Sequence, residues 1–299
     1  MRSAFPLLLP LVLSFLTACA EKPESAPDAA VDGGSNGITV LTTCYPMQYF
    51  AERIAGEHLD VQFPLPDGAD PILWQPDSAS ILRFQAADLI VINGAHYEKW
   101  VTTVSLPENR VIDASRSFEQ DLIRYETSTS HRHGPEGEHT HSGIDGHTWL
   151  DPINAKVQAA TIRQAFAKKW PAHAESFERN LQALIADLDA LDEQLKGIEI
   201  SRPLLASQPA YGYLARRYGW QVTNLELDPE TLPGKDAIPA DSPAKIILWQ
   251  SRPRDVVSAL LEKQYGIEGI VFSPAERKSD QDYLATMRAN IEALRSEFK

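Results

Sequence analysis

The sequence predicts an α/β protein of two lobes, each a parallel sheet flanked by helices, the lobes being joined by one long rigid helix. Three observations carry this. Short β-branched runs alternate with stretches of helical periodicity along the whole body of the chain. Strands separated by helices pair in parallel and are covered on both faces. Between Ala172 and Leu195, the residues Phe177, Leu181, Leu184, Ile185, Leu188, Leu191 and Leu195 keep a 3.6-residue beat, enough for a helix of about 36 Å.

In chain order, Ile38 to Thr43 reads as a strand, and Tyr49, Phe50, Ile54 and Ala55 mark the helix after it. Val61 to Leu65 is a second strand, Ile81 to Ala86 a helix, Asp88 to Gly94 a strand that stops at glycine, and Val111 to Asp113 a short strand. Asn154 to Trp170 is an amphipathic helix that Pro171 interrupts before the long helix, and Gly197 is placed to stop the latter. The alternation then resumes, with strands over 203–207, 221–225, 244–249 and 269–272 and helices over 211–218, 254–264 and 281–298. No sequence-identical repeat relates the halves, so any likeness between them is architectural.

The opening segment reads as an address. Met1-Arg2-Ser3 gives a short positive start and Ala4 to Leu16 an apolar run too short to span about 30 Å of hydrocarbon. Leu16-Thr17-Ala18-Cys19 resembles a bacterial lipobox, which implies a signal peptide over 1–18 and a lipid on Cys19. The expected organisation is therefore a lipoprotein signal peptide (1–18), a flexible tether (19–37), an N-terminal lobe (38–150) that includes a histidine-rich loop (126–147), a helical linker (151–197) and a C-terminal lobe (198–299). The mature protein is expected to be exported and anchored to a membrane, facing the periplasm or cell exterior.

Composition narrows the function. The 299 residues include 28 Lys and Arg against 41 Asp and Glu, a formal charge of -13, which argues against nucleic acid as a partner. Cys19 and Cys44 are the two cysteines; with Cys19 lipidated, Cys44 has no disulfide partner, and the core alone must stabilise the body. No phosphate-cradling loop and no nucleophile, base and orienter set stands out, so the chain does not read as an enzyme.

Chemistry concentrates between Tyr125 and Trp149. Five of the eight histidines, His131, His133, His139, His141 and His147, fall within 17 positions, interleaved with Glu136, Glu138, Asp145 and four glycines. Imidazole is the commonest side-chain ligand for zinc, copper and nickel, and glycines let several rings converge on one ion. Asp145 and Asp151 lie close enough in sequence to orient the second nitrogen of His147. For Asp151 the stronger reading is a helix N-cap, because Pro152 follows at the first helical position. With unperturbed imidazoles, metal affinity is expected to fall as pH drops through about 6.5.

The order of several strings resembles the metal-binding receptors of zinc and manganese ABC importers, the cluster 9 solute-binding proteins. They are Thr43-Cys44-Tyr45-Pro46, Gly68-Ala69-Asp70-Pro71, Ala87 to Glu98, His147-Thr148-Trp149-Leu150-Asp151-Pro152 and Ala210 to Gly219. The resemblance implies two lobes held by a rigid helix, a divalent ion between them, and delivery to an ABC permease by a monomeric receptor. Zinc is the expected cargo, with manganese or another divalent transition metal as the alternative. Of the four positions where the family holds its ion, His147 matches the second; the others read Ile72, Gln208 and Ser273.

Three readings follow. The site is rebuilt from His147 with His131, His133, His139 or His141, and Cys44. Alternatively, the cleft takes a metal complex or an organic solute, with Gln208 and Trp74 as polar and stacking contacts. In the third, the loop alone scavenges metal. His96, following a strand end, is a further cleft candidate, though it reads more simply as packing locally.

Overall fold

The computed structural model describes residues 1, 37, 39–125, 129–132, 138–141 and 143–298, the two short segments through their backbone. Cys19, His133 and the expected signal peptide beyond Met1 lie outside these residues. Gly34–Lys299 forms one compact unit. Its first sheet contains β1 (Thr39–Thr42), β2 (Asp60–Gln62), β3 (Leu89–Ile92) and β4 (Val111–Asp113), all parallel, in the order β2-β1-β3-β4. The helices α1 (Tyr45–Ala55) and α2 (Ser78–Ala86) connect them.

β5 (Thr129–Arg132) and β6 (Glu138–His141) follow, then α3 (Pro152–Lys169) and the long α4 (Ala174–Lys196). The second sheet contains β7 (Leu204–Ala206), β8 (Val222–Asn224), β9 (Ile246–Trp249) and β10 (Glu268–Val271), again parallel, in the order β10-β9-β7-β8. α5 (Gly212–Tyr218), α6 (Asp255–Tyr265) and α7 (Tyr283–Glu297) complete the chain. Read from its second strand outward, each sheet runs second, first, third, fourth, so the lobes repeat an architecture without repeating a sequence.

The two-lobed reading holds, with element ends shifted by one to four residues. The histidine-rich stretch departs from expectation. Instead of a plain loop it contains an antiparallel hairpin, β5 on β6, with Thr129 opposite His141 and His131 opposite His139. Its strands carry no apolar alternation, the usual sign of a half-buried strand, so backbone pairing rather than core burial defines it. Gly197 caps α4 as expected, its N–H reaching the Glu193 carbonyl, but with φ of -76° it needs no glycine conformation.

Helix α4 explains why the lobes share one core. Phe177, Leu181, Leu184, Leu188, Leu191 and Leu195 are buried along one stripe, whereas Ile185 is only partly covered. The helix packs against α1, α3 and α7. One apolar cluster therefore runs from Val40, Leu89 and Val91 of the first sheet through α4 to Leu204, Ile246 and Leu248 of the second.

Buried polar groups tie the strand ends. Glu98 accepts hydrogen bonds from Thr43 Oγ1, from the Asn93 N–H at 2.6 Å and from the Gly94 N–H at 3.2 Å. Gly94 (φ 77°) must be glycine, since a Cβ there would lie 2.0 Å from Asp113 Oδ1. Burial pushes the Glu98 carboxyl up from 4.5 to about 7, despite these donors. A folded-state pKa above the unfolded one means that stability is fully present below about pH 4.5 and is lost as pH rises through about 7. Urea unfolding should therefore show the wild type losing more stability between about pH 5 and pH 8 than Glu98→Gln; equal losses would contradict the assignment.

Candidate functional site

In open parallel sheets ligands sit beyond the carboxyl ends of the strands, where the strand order reverses. Here those points lie between β1 and β3 in one lobe and between β7 and β9 in the other. The chain leaves these strands through Thr43-Cys44, Asn93 to His96, Ser207-Gln208 and Gln250-Ser251. Asp70, Ser207, Gln208, Gln250, Ser251 and Ser273, with Glu276, Arg277 and Lys278, line a cavity of about 560 Å³ between the lobes.

His147 is fully buried and does not line this cavity itself; it stands beside Glu276, which does. Its placement is built outward from Asp145. One carboxylate oxygen, Oδ1, accepts the backbone N–H of His147 at 2.9 Å and lies 3.0 Å from ring Nδ1. The other, Oδ2, accepts Tyr125 Oη at 2.9 Å and the Gly212 N–H at 3.2 Å, the latter from the opposite lobe. Tyr213 Oη donates to the Asp145 carbonyl at 2.9 Å. Two glycines make room for this arrangement. A Cβ on Gly212 would lie 2.6 Å from Asp145 Oδ2, and one on Gly146 would lie 3.0 Å from the Tyr97 ring. Behind the turn, Asn93 donates to the Gly146 carbonyl and accepts from Thr148 and Gln158. Asp151 is the N-cap of α3, accepting from Ile153 N–H, and pairs with Arg217 at 2.8 Å. Of the two aspartates weighed as orienters, Asp145 touches the ring.

The other ring nitrogen, Nε2, faces Glu276, whose Oε2 is 3.8 Å away. The same oxygen accepts Tyr97 Oη at 2.8 Å. Burial would push the His147 pKa down, but the hydrogen bonds and charges of Asp145 and Glu276 outweigh it and hold it up at about 9. The expected titration near 6.5 is therefore displaced upward by the carboxylates of Asp145 and Glu276.

Glu276 was not anticipated. Sequence placed the fourth position at Ser273, which does line the cavity but whose N–H and carbonyl are engaged by Asn290 of α7. Trp149 Nε1 holds the Pro274 carbonyl at 2.7 Å, and Ala275 takes a left-handed φ of 55°. That reversal brings the next residue back onto His147. A carboxylate three positions past the expected one was the available signal.

The remaining candidates divide. Gln208 is buried and lines the cavity, as does Asp70, which accepts from the Ile72 and Leu73 N–H groups and pairs with Arg277 at 3.0 Å. Ile72, His96, Tyr97, Lys99 and His147 surround a second space of only about 10 Å³, at the lower limit of what one water molecule needs. His96 is exposed there with φ of 58°. Trp74 lines neither cavity: it packs on Phe84 and Trp100 inside the first lobe, so it offers no stacking surface to a ligand. Cys44 lines neither cavity and is fully buried at the N-cap of α1, with burial first and then the charge of Glu98 pushing its thiol well above the usual range.

The hairpin register places His131, His139 and His141 on one face of the β5-β6 ribbon, because cross-strand partners and residues two apart share a face. Among the described residues, no three His, Cys, Asp or Glu side chains come close enough together to hold an ion, and no helix is long and apolar enough to cross a membrane. His58 and His173 stack on each other at 4.2 Å. Gly212→Ala should displace the Asp145 carboxylate: we expect a loss of roughly 1–3 kcal/mol in stability and a rotated His147 ring in a crystal structure. An unmoved ring would refute this account of the glycine.

A family model described as zinc-uptake complex component A, periplasmic (ZnuA), matches residues 40–297. The chain is 26% identical over 309 positions to the zinc-binding lipoprotein AdcA of Streptococcus pneumoniae, covering 97% of this chain and 60% of that protein. It is 28% identical over 290 positions to the high-affinity zinc uptake system protein ZnuA of Bacillus subtilis, covering 91% of each. The chain thus spans about 60% of the length of the AdcA relative. The solved structure of the metal-dependent lipoprotein YcdH from B. subtilis matches with a TM-score of 0.75 at 24% identity, covering 88% of this chain and all of that one. Zn(II)-bound AdcA from S. pneumoniae matches at 0.73 and 22%, covering 89% of this chain and 58% of that one. At these identities the structural likeness establishes the fold.

Proposed function

The chain belongs to the family of zinc-uptake complex component A, and from that premise we propose that it is an extracytoplasmic receptor that captures a divalent transition metal, zinc before manganese, and hands it to an ABC permease. The observation that supports this reading is the His147–Glu276 pair. A buried imidazole, fixed through its other nitrogen by Asp145, faces a carboxylate held by Tyr97 at the mouth of the cleft between the lobes. Imidazole nitrogen and carboxylate oxygen both suit zinc, and a carboxylate on the far ring nitrogen fixes the tautomer and strengthens the donor. Zinc takes the neutral imidazole, so it competes with the proton whose binding the two carboxylates favour.

The hairpin serves as a second collecting surface. His131, His139 and His141 hold register positions that share one face of the ribbon, and a histidine-rich segment suits weak capture of a transition metal. A lipid on Cys19 keeps the receptor at the membrane where its permease lies, and the chain acts as a carrier, not an enzyme.

Two measurements test this. Calorimetric titration with zinc at about pH 7.5 should show a cleft site that His147→Ala abolishes and Asp145→Asn weakens by roughly 10–100-fold. Zinc binding of full strength in His147→Ala would reject the cleft assignment. Deleting residues 126–142 should lower the number of zinc ions bound and leave the cleft ion in place; loss of all zinc would make the hairpin the sole binder.

A further inference from the structure

We infer that the ion pair between Arg277 and Asp70 is a latch: it holds Glu276 against His147 and so sets how fast a bound ion leaves the site. The inference rests on His147 and Glu276 being zinc donors.

The chain that carries Glu276 starts in one lobe and rests on the other. It runs from the end of β10 at Val271 to the start of α7 at Tyr283. On the C-terminal lobe it is moored at Ser273, whose N–H donates to Asn290 Oδ1 at 3.0 Å and whose carbonyl accepts Asn290 Nδ2 at 2.7 Å. Over the next four residues it is bound to the N-terminal lobe. Trp149 Nε1 donates to the Pro274 carbonyl at 2.7 Å, and the Tyr45 N–H donates to the Glu276 carbonyl at 3.3 Å. Tyr97 Oη donates to Glu276 Oε2 at 2.8 Å, and Arg277 Nη2 lies 3.0 Å from Asp70 Oδ2. Among these contacts Ala275 takes a left-handed φ of 55°, a conformation that is costly for a residue with a Cβ and persists only where its surroundings enforce it. The segment is a strap drawn from one lobe onto the other, and Glu276 keeps its place because the strap is held down.

Its last fastening is built to open. Trp149 and Tyr97 are buried, so their bonds are shielded from water. Asp70 is buried too, and its Oδ1 accepts the Ile72 and Leu73 N–H groups at 2.8 and 3.3 Å, which fixes where Oδ2 points. Arg277 by contrast keeps 44% of its side chain exposed, and both partners line the large cavity. Dissolved salt weakens a pair with one wet partner, while the buried carboxylate gains from being paired. The latch therefore closes firmly enough to seat its neighbour, yet opens without unfolding a lobe. Arg277 follows Glu276 directly, so fixing its guanidinium on Asp70 restrains the backbone with which Glu276 would swing away from His147. A guanidinium has no lone pair to give a metal, so Arg277 acts through Glu276 as a positioning residue.

Stopped-flow release of zinc from the loaded full chain into excess EDTA reads the exit rate. Arg277→Gln should speed release roughly fivefold at low salt, and Arg277→Lys, which keeps the charge, should restore much of the slow rate. Raising the salt to about 1 M should bring the wild type towards the rate of Arg277→Gln and change that variant little. A residue that served stability alone would give no such difference in salt response. Release from Arg277→Gln at the wild-type rate, or an equal salt response in both proteins, would overturn the latch and leave the zinc receptor standing. A wild type that binds no zinc, or zinc binding undiminished in His147→Ala, would overturn both.

Discussion

The structure depends on one buried carboxylate. Asp145 accepts hydrogen bonds from the backbone of His147, from Tyr125 and from the first residue of α5, and its Oδ1 lies against the His147 ring. A charge without solvent is tolerated only when its acceptor positions are filled, and here the groups that fill them come from both lobes. The need to satisfy Asp145 therefore fixes three things at once: the tautomer of the ring, the approach of α5 to the cleft wall, and glycine at 212. The site is a consequence of that satisfaction, since the face of His147 turned to Glu276 is whatever Asp145 leaves over.

A second constraint operates through the backbone. Parallel sheets whose order reverses beside their first strand open a crevice at their carboxyl ends, and two such sheets joined by a common core bring two crevices face to face. Helix α4 makes that core continuous across both sheets. The apolar cluster gives the geometry, and the few polar groups at the strand ends give the chemistry.

The architecture was legible because its signals are physical and local. The stripe from Phe177 to Leu195 could be nothing but a helix buried on one side, and Leu89 to Ile92 nothing but an interior strand. His147 was legible through its neighbours, and Asp145 through its spacing from it. Glu276 was hidden because a left-handed residue at Ala275 re-aims the chain, and backbone reversal at alanine has no sequence signature of the kind glycine provides. Trp74 was misplaced for a related reason: an indole near a cleft motif reads as a ligand contact, yet the neighbours that claim it, Phe84 and Trp100, are distant in sequence. The hairpin escaped because its strands are polar on both faces, so period and hydrophobicity, the usual guides, were silent.

Cys44 carries a last consequence. Among the described residues it is the one cysteine, sealed at the start of α1 and driven towards its protonated form. Thiolate is the form that attacks disulfides, reacts with oxidants and competes for soft metals. The sulfhydryl of Cys44 is thereby kept chemically quiet, shut away from disulfides and oxidants and poor as a ligand for soft metals.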